Sequence, residues 1–226
     1  SQLSIIIPTL NEAARLPLLL ADIQRWPSTL DLWVIDGGST DATSLISRVS
    51  NANFLKIAQP NRGAQLSLGA SKALSSWLLF LHADSRLDPK WPTKIQDIIN
   101  KKPEEQCAWF FEFRVKRNGL DFRILERSVA IRSRWAQKPY GDQWLLISKR
   151  LYKKMGGYKS IHLMEDLDFI ERICKHSKLH SIGIPIYTSG RRWEKSGVIT
   201  RALRNARLRH RWKNGELPER LFKDYY

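Results

Sequence analysis

The stretch Ser4-Ile5-Ile6-Ile7-Pro8-Thr9-Leu10-Asn11-Glu12-Ala13 constrains this chain more than any other. Three successive β-branched apolar residues without alternation read as a strand covered on both faces, as in a parallel sheet. Pro8 has no N–H to give and is expected to end the ladder. Thr9 or Asn11 then offers a cap for a following helix, with Glu12 in its first turn. In an open α/β sheet, ligands bind beyond the carboxyl ends of the strands, so Pro8 to Glu12 should line a site. An ordinary strand-to-helix loop is the competing reading.

The same alternation continues. Leu32 to Ile35 reads as a second buried strand closed by Asp36-Gly37-Gly38, with Ser39, Thr40 and Asp41 as caps for a helix through Val49. Phe54 to Ile57 is a third strand. Gly63 to Ala73 is a helix whose small residues permit close packing on a sheet. Trp77 to Leu81 is a fourth strand, ending in His82-Ala83-Asp84. Strand–helix units joined by short loops imply a parallel sheet with right-handed crossovers. Beyond Asp84 the pattern is mixed. Helices are expected over Trp91–Asn100, Leu120–Trp135, Leu151–Met155, Leu163–His176 and Val198–Trp212, and strands over Cys107–Val115, Gln143–Ser148 and between Leu179 and Thr188. With no repeat and no low-complexity linker, the chain reads as a single domain, residues 1–226. Residues 1–84 form a ligand-binding half, and residues 85–226 a covering half with a basic helical tail.

Composition narrows the partners. The 226 residues are 42% hydrophobic with a formal net charge of +16, which suits a globular protein that meets an anionic partner: a phosphorylated small molecule, nucleic acid or an anionic membrane surface. No apolar run approaches the about 20 residues of a membrane span. No secretory leader pattern is visible at the start, and Cys107 and Cys174 are expected to be buried, reduced thiols, so a cytoplasmic location is expected.

Glu12, Asp36 and Asp84 each follow a strand. One such acid alone is usually a turn or cap residue. Three at one sheet edge in a basic protein suit a site that holds a metal ion or sugar hydroxyls while basic groups hold phosphates. Asp166, Ile170 and Ile173 share one helical face at i, i+4 and i+7, beside a stripe of Leu163, Leu167, Ile170 and Cys174. Asp166 is therefore expected to point inward at a helix start, as a base or merely a cap, with Glu165 the alternative base. Asp168 pairs with Arg172 at i+4.

Ile5 to Glu12, Val34-Ile35-Asp36-Gly37-Gly38-Ser39-Thr40-Asp41, His82-Ala83-Asp84 and Glu165-Asp166, in this order, resemble the family 2 glycosyltransferases of the GT-A fold. The resemblance covers nearly the whole chain. The segments Arg62 to Gln65, Tyr140 to Gln143 and Ser189 to Trp193 resemble the subgroup labelled arsenosugar-biosynthesis or radical-SAM/selenodomain-associated glycosyltransferases.

The resemblance implies a Rossmann-like α/β fold with a mostly parallel sheet flanked by helices. It implies an inverting transfer of a sugar from a nucleoside-diphosphate sugar to an acceptor hydroxyl. Pro8 and Glu12 match the loop packed on the nucleoside, Asp36 the acid at the base or ribose, and Arg62 a basic residue near the nucleotide. Asp84 matches the last acid of the metal-binding D-x-D motif, whose first position here is His82. His82 is either a ligand for Mn²⁺ or a packed strand-end histidine. A divalent cation, Mn²⁺ or Mg²⁺, is expected. Arg191 and Arg192 match a diphosphate clamp, and Asp142 is a candidate contact for acceptor or donor sugar. Asp166, or Glu165, matches the general base.

The acceptor is unspecified, lipid-linked or small. The competing class is a basic protein that uses such a scaffold without catalysis. It would lie on an anionic membrane through its tail, or bind nucleic acid through Arg201, Arg204, Arg207, Arg209 and Arg211. No RNP, helix-turn-helix or zinc pattern supports nucleic acid.

Overall fold

Strand β1 (Leu3–Thr9) lies inside the sheet, and every side chain from Leu3 to Ile7 is fully buried. The computed structural model describes residues 2–101, 107–115, 120–135, 144–188 and 197–225. Parallel neighbours of β1 are β2 (Asp31–Asp36) and β4 (Trp77–Phe80), and β3 (Asn53–Lys56) pairs in parallel with β2. Helices α1 (Leu16–Ile23), α2 (Thr43–Val49) and α3 (Arg62–Lys72) make the crossovers. Four parallel strands are thus where the non-alternating apolar runs place them.

Pro8 does not end the ladder. It pairs in register with Ile35, and Thr9 continues the strand. The Ile6 carbonyl accepts from Leu81 on the β4 side, while Thr9 accepts from Gly37 on the β2 side. Pro8 shares the orientation of Ile6, and β4 pairs with β1 only as far as Ile6. The missing N–H therefore falls where no strand needs it. The helix expected directly after Asn11 begins only at Leu16 and has no side-chain cap. Thr9 and Asn11 are engaged elsewhere: the Thr9 hydroxyl donates to Asp36, and the Asn11 side chain accepts from the Thr40 N–H.

The second half adds β5 (Ser85–Leu87), α4 (Trp91–Asn100), β6 (Cys107–Val115), α5 (Leu120–Trp135), β7 (Leu145–Ser148), α6 (Lys149–Lys154), α7 (Glu165–Cys174) and β8 (Lys178–Thr188). It closes with α8 (Val198–Lys213) and α9 (Pro218–Tyr225). Among the described residues these strands complete one eight-stranded sheet of order β3-β2-β1-β4-β7-β6-β8-β5. Strand β7 is antiparallel to both β4 and β6, and β8 is parallel to β6. Two reversals restore direction, so β6 and β8 end at the same edge as β1, β2 and β4.

Two cores fill the faces. On one, Trp91 and Ile95 of α4 and the leucines of α1 pack on β1 and β4. On the other, α3, α6 and α7 pack through Leu66, Leu151, Phe169 and Ile173. Strand β5 and helix α9 have no counterpart in the sequence reading. Three residues are too few to display a period. Strand β5 is held by buried Asp22, which accepts from Arg86 at 2.6 and 3.0 Å and from the Leu87 N–H at 3.0 Å. The cysteines depart from expectation: Cys107 is half-buried, and Cys174 is exposed because α7 ends there.

Gly69 sets the approach of α3 to the sheet, because a methyl at this position would collide with Ile6 and crowd Ile35. Gly69→Val should lower unfolding free energy by about 1–3 kcal/mol, the range for overpacking. A urea midpoint equal to or above that of the unmodified chain would refute this close contact.

Candidate active site

The site is built at the carboxyl ends of β1, β2 and β4. Its rim begins with two loops sewn together. The Asn11 N–H donates to Ser39 Oγ at 2.7 Å, Glu12 N–H to Thr43 Oγ1 at 3.0 Å and Ala13 N–H to Asp41 at 3.0 Å. Asn11 adopts a left-handed φ of 53°, which Asn tolerates better than most residues, and this turns its side chain toward Thr40. The Glu12 carboxylate meets Arg15 at 2.6 Å. Pro8 is half-buried beneath this lip.

Asp36 is 1% exposed and its carboxylate is fully employed. One oxygen accepts from the hydroxyls of Thr9 and Ser39, the other from the N–H groups of Gly38 and Ser39. A carboxylate offers about four acceptor positions. Asp36 therefore fixes the loop that follows it. Gln65 does related work that the sequence did not suggest: its buried amide donates to the carbonyls of Thr9 and Ile35 at 2.9 and 2.7 Å, closing the ends of β1 and β2. Its four-residue motif was visible in the sequence, but nothing local showed that the amide would turn to the sheet edge.

Arg62 is the first residue of α3, behind the cap Asn61, whose side chain accepts from Ala64. Gly63 follows, and any Cβ there would strike the Lys159 carbonyl, so α3 starts directly against the segment leading to α7. This closeness brings Arg62 to both acids: its Nε lies 3.1 Å from Glu165, and its terminal nitrogen donates to Asp166 at 2.7 Å. The same end of Arg62 contacts His82 Nε2. His82 lies just past β4, and its ring packs edge-on against Trp144, which holds a left-handed φ of 56° before β7. Among the described residues, the buried Trp144 indole N–H meets no acceptor. It is a donor at the site edge that sequence reading passed over.

Helix α7 is turned from expectation. Met164 is left-handed, so the helix begins at Glu165 rather than Leu163. Glu165, Leu167, Phe169, Ile170 and Ile173 are buried, Leu163 is only half-buried, and Asp166 sits at the rim with 16% of its side chain exposed. The deeply inward acid is thus Glu165. Asp168 pairs with Arg172 at 2.6 Å, as the spacing indicated, and also with Lys159.

Burial pushes the Glu165 carboxyl up to about 7; Arg62 opposes the rise and the nearby Asp166 charge adds to it. Such a group can hold or release a proton near neutral pH. Asp84 is half-buried beyond β4. Among the described residues, no three His, Cys, Asp or Glu side chains are grouped to hold a metal ion. Arg191, Arg192 and Asp142 lie outside the described residues.

Comparison with known proteins bears on this arrangement. Residues 4–160 match the family model for glycosyl transferase family 2. An uncharacterized glycosyltransferase of Haemophilus influenzae is 26% identical over 180 residues, 76% of this chain and 61% of the relative. The chain thus spans under two thirds of that relative's length. S. aureus TarS 1–349 in complex with UDP superposes with a TM-score of 0.65 at 15% identity, over 84% of this chain and 60% of that one. The mannosyltransferase PcManGT from Pyrobaculum calidifontis, in complex with GDP-Man and Mn²⁺, gives 0.62 at 14% identity, over 82% and 56%. These likenesses confirm the expected α/β fold, a curled sheet flanked by helices.

The raised Glu165 carboxyl has a consequence for stability. A folded-state pKa of about 7 against an ordinary 4.5 means the folded protein binds the proton more tightly than the unfolded chain. That contribution is complete below the unfolded value and is lost as pH climbs toward 7. The stability of the unmodified protein relative to Glu165→Gln should therefore fall between about pH 4.5 and 7 and level off above. Parallel melting curves across this range test it, and a pH-independent difference would refute the buried proton.

Proposed function

The chain belongs to glycosyl transferase family 2, and from that premise we propose that it is an inverting transferase. It would move a sugar from a nucleoside-diphosphate sugar to an acceptor hydroxyl. The observation that carries this reading is the meeting of Arg62, Glu165 and Asp166 at the strand-end edge. There a cation and two carboxylates of unequal burial face a lip built to receive a ligand. The UDP of the TarS complex and the GDP-Man and Mn²⁺ of the PcManGT complex support the donor class.

Pro8 and Glu12 form the lip against the nucleoside, and Asp36 acts there by holding the Gly38–Ser39 backbone in place. Arg62 would face the diphosphate, since guanidinium forks suit phosphate oxygens, and by motif Arg191 and Arg192 are its further clamp. Half-buried Asp84 would hold a divalent cation, Mn²⁺ or Mg²⁺, since Mg²⁺ is commonly bound by one or two carboxylates together with substrate phosphates. His82 would join only by giving up its contact with Arg62. Once bound, the ion would supply positive charge to the leaving diphosphate.

The acceptor oxygen attacks the anomeric carbon as the bond to the diphosphate oxygen breaks, and the nucleoside diphosphate leaves with that electron pair. Asp166 at the rim takes the acceptor's proton, while buried Glu165 holds Arg62 in position. The acceptor is a hydroxyl compound, small or lipid-linked, and the net charge supports work in the cytoplasm at the inner face of an anionic membrane. The motif at Arg62 to Gln65 supports placement in the arsenosugar-biosynthesis subgroup.

A thermal-shift series with UDP-, GDP- and dTDP-sugars, with and without Mn²⁺, tests the donor assignment. The true donor should stabilise the protein by mass action, by about 2.7 kcal/mol at a hundredfold excess over its dissociation constant. Excess EDTA should reduce that gain. No response to any nucleotide sugar would overturn the reading.

The base is tested by substitution. Asp166→Asn should keep donor affinity and lower turnover by about 10²–10⁴-fold, the share of general-base catalysis. Asp168→Asn should change turnover little, since Asp168 serves Arg172 and Lys159. A nearly normal Asp166→Asn beside a dead Glu165→Gln would move the base to Glu165.

A further inference from the structure

Strands β6 and β8 end at the same sheet edge as β1, β2 and β4. Helix α5 opens shortly after β6, and α8 packs against it. Helix α5 buries Leu125 and Val129 against Phe113 and Val115 of β6. Its opposite face carries Ile124 and Ile131, 60% and 63% exposed, with exposed Arg123 and Arg127 alongside. Glu126 is withdrawn from that face: it accepts from Arg114 and from the Val115 N–H, both at 2.9 Å. On α8, Leu203 is 66% exposed among exposed Arg204 and Arg207, and no acid occurs between Gly197 and Asn214.

We propose that the outward faces of α5 and α8 dock on an anionic lipid bilayer, and that this brings the catalytic edge to an acceptor carried by a lipid. The second part rests on the transferase reading above. Two observations select the occupant. Across α5 and α8, ten Arg and Lys residues stand against two acids, Asp121 and Glu126, and this excess of positive charge matches an anionic surface. Aliphatic tips spaced two turns apart gain from the apolar boundary of a bilayer, while a nucleic-acid backbone offers them nothing. No helix among the described residues is long and apolar enough to cross a membrane, so contact through these helices is interfacial.

Sedimentation with phosphatidylcholine vesicles, with and without phosphatidylglycerol, tests the surface, with duplex DNA as a parallel arm at two salt concentrations. The unmodified protein should bind vesicles containing phosphatidylglycerol and release them as salt screens the arginines. The double variants Ile124→Ser/Ile131→Ser and Arg123→Glu/Arg127→Glu should each bind about tenfold or more weakly, as the loss of two anchors implies. Both sets of side chains are exposed, so melting temperatures should be unchanged and confirm folding. Equal binding by the isoleucine variant, or equal binding to neutral vesicles, overturns the proposal. Duplex DNA bound more tightly than vesicles, with no dependence on the isoleucines, overturns it in favour of nucleic acid. The thermal response to nucleotide sugars separates the two readings. A protein stabilised by donor that ignores vesicles loses only this surface. One that binds vesicles without any donor response loses the transferase assignment and keeps the surface.

Discussion

One guanidinium joins the two halves of this protein. Arg62 opens α3 in the parallel half, and Glu165 and Asp166 open α7 in the other. The ion contacts between them tie the start of α3 to the start of α7. The approach is possible only because Gly63 has no side chain where α3 meets the Lys159 carbonyl. A single positive charge cannot neutralise two carboxylates, and burial of an unpaired charge is costly. The two acids resolve this by depth. Glu165 lies under cover and favours its proton, while Asp166 stays at the rim with the guanidinium. Unequal burial of two adjacent acids sets their proton affinities apart.

The facing lip is rigid for a different reason. Its hydrogen bonds run between loops that follow separate strands, from Asn11, Glu12 and Ala13 to Ser39, Thr43 and Asp41. Asp36 and Gln65 anchor this lip to the sheet from below. A surface fixed before ligand arrives loses little entropy on binding. Asp36 therefore matters through the backbone it holds as much as through its charge.

Much of this was legible in the sequence, for identifiable reasons. Runs such as Ile5 to Ile7 and Trp77 to Phe80 show no alternation because both sheet faces are covered, and such runs mark parallel strands directly. The Asp168–Arg172 pair follows from helical spacing alone. What escaped depends on distant neighbours. Pro8 stays in the ladder because β4 stops short of it. The rotation of α7 follows from one left-handed residue, Met164, which hydrophobic spacing does not reveal. Three-residue β5 exists because Asp22 on α1 reaches it. Gln65 and Trp144 carry no local signal of their place at the edge, since it arises where α3 meets β1 and where β7 begins.

The placement of β7 has the widest consequence. A wholly parallel sheet would also end every strand at one edge, but each strand would need its own crossover helix. Here β7 enters antiparallel between β4 and β6, with its first residues at the site edge. That position puts Trp144 against His82. It also lets β6 and β8 run out toward the same edge from the far side, where α5 packs on Phe113 and Val115 at the end of β6. One reversed strand thus brings Trp144 to this edge and returns β6 and β8 toward it.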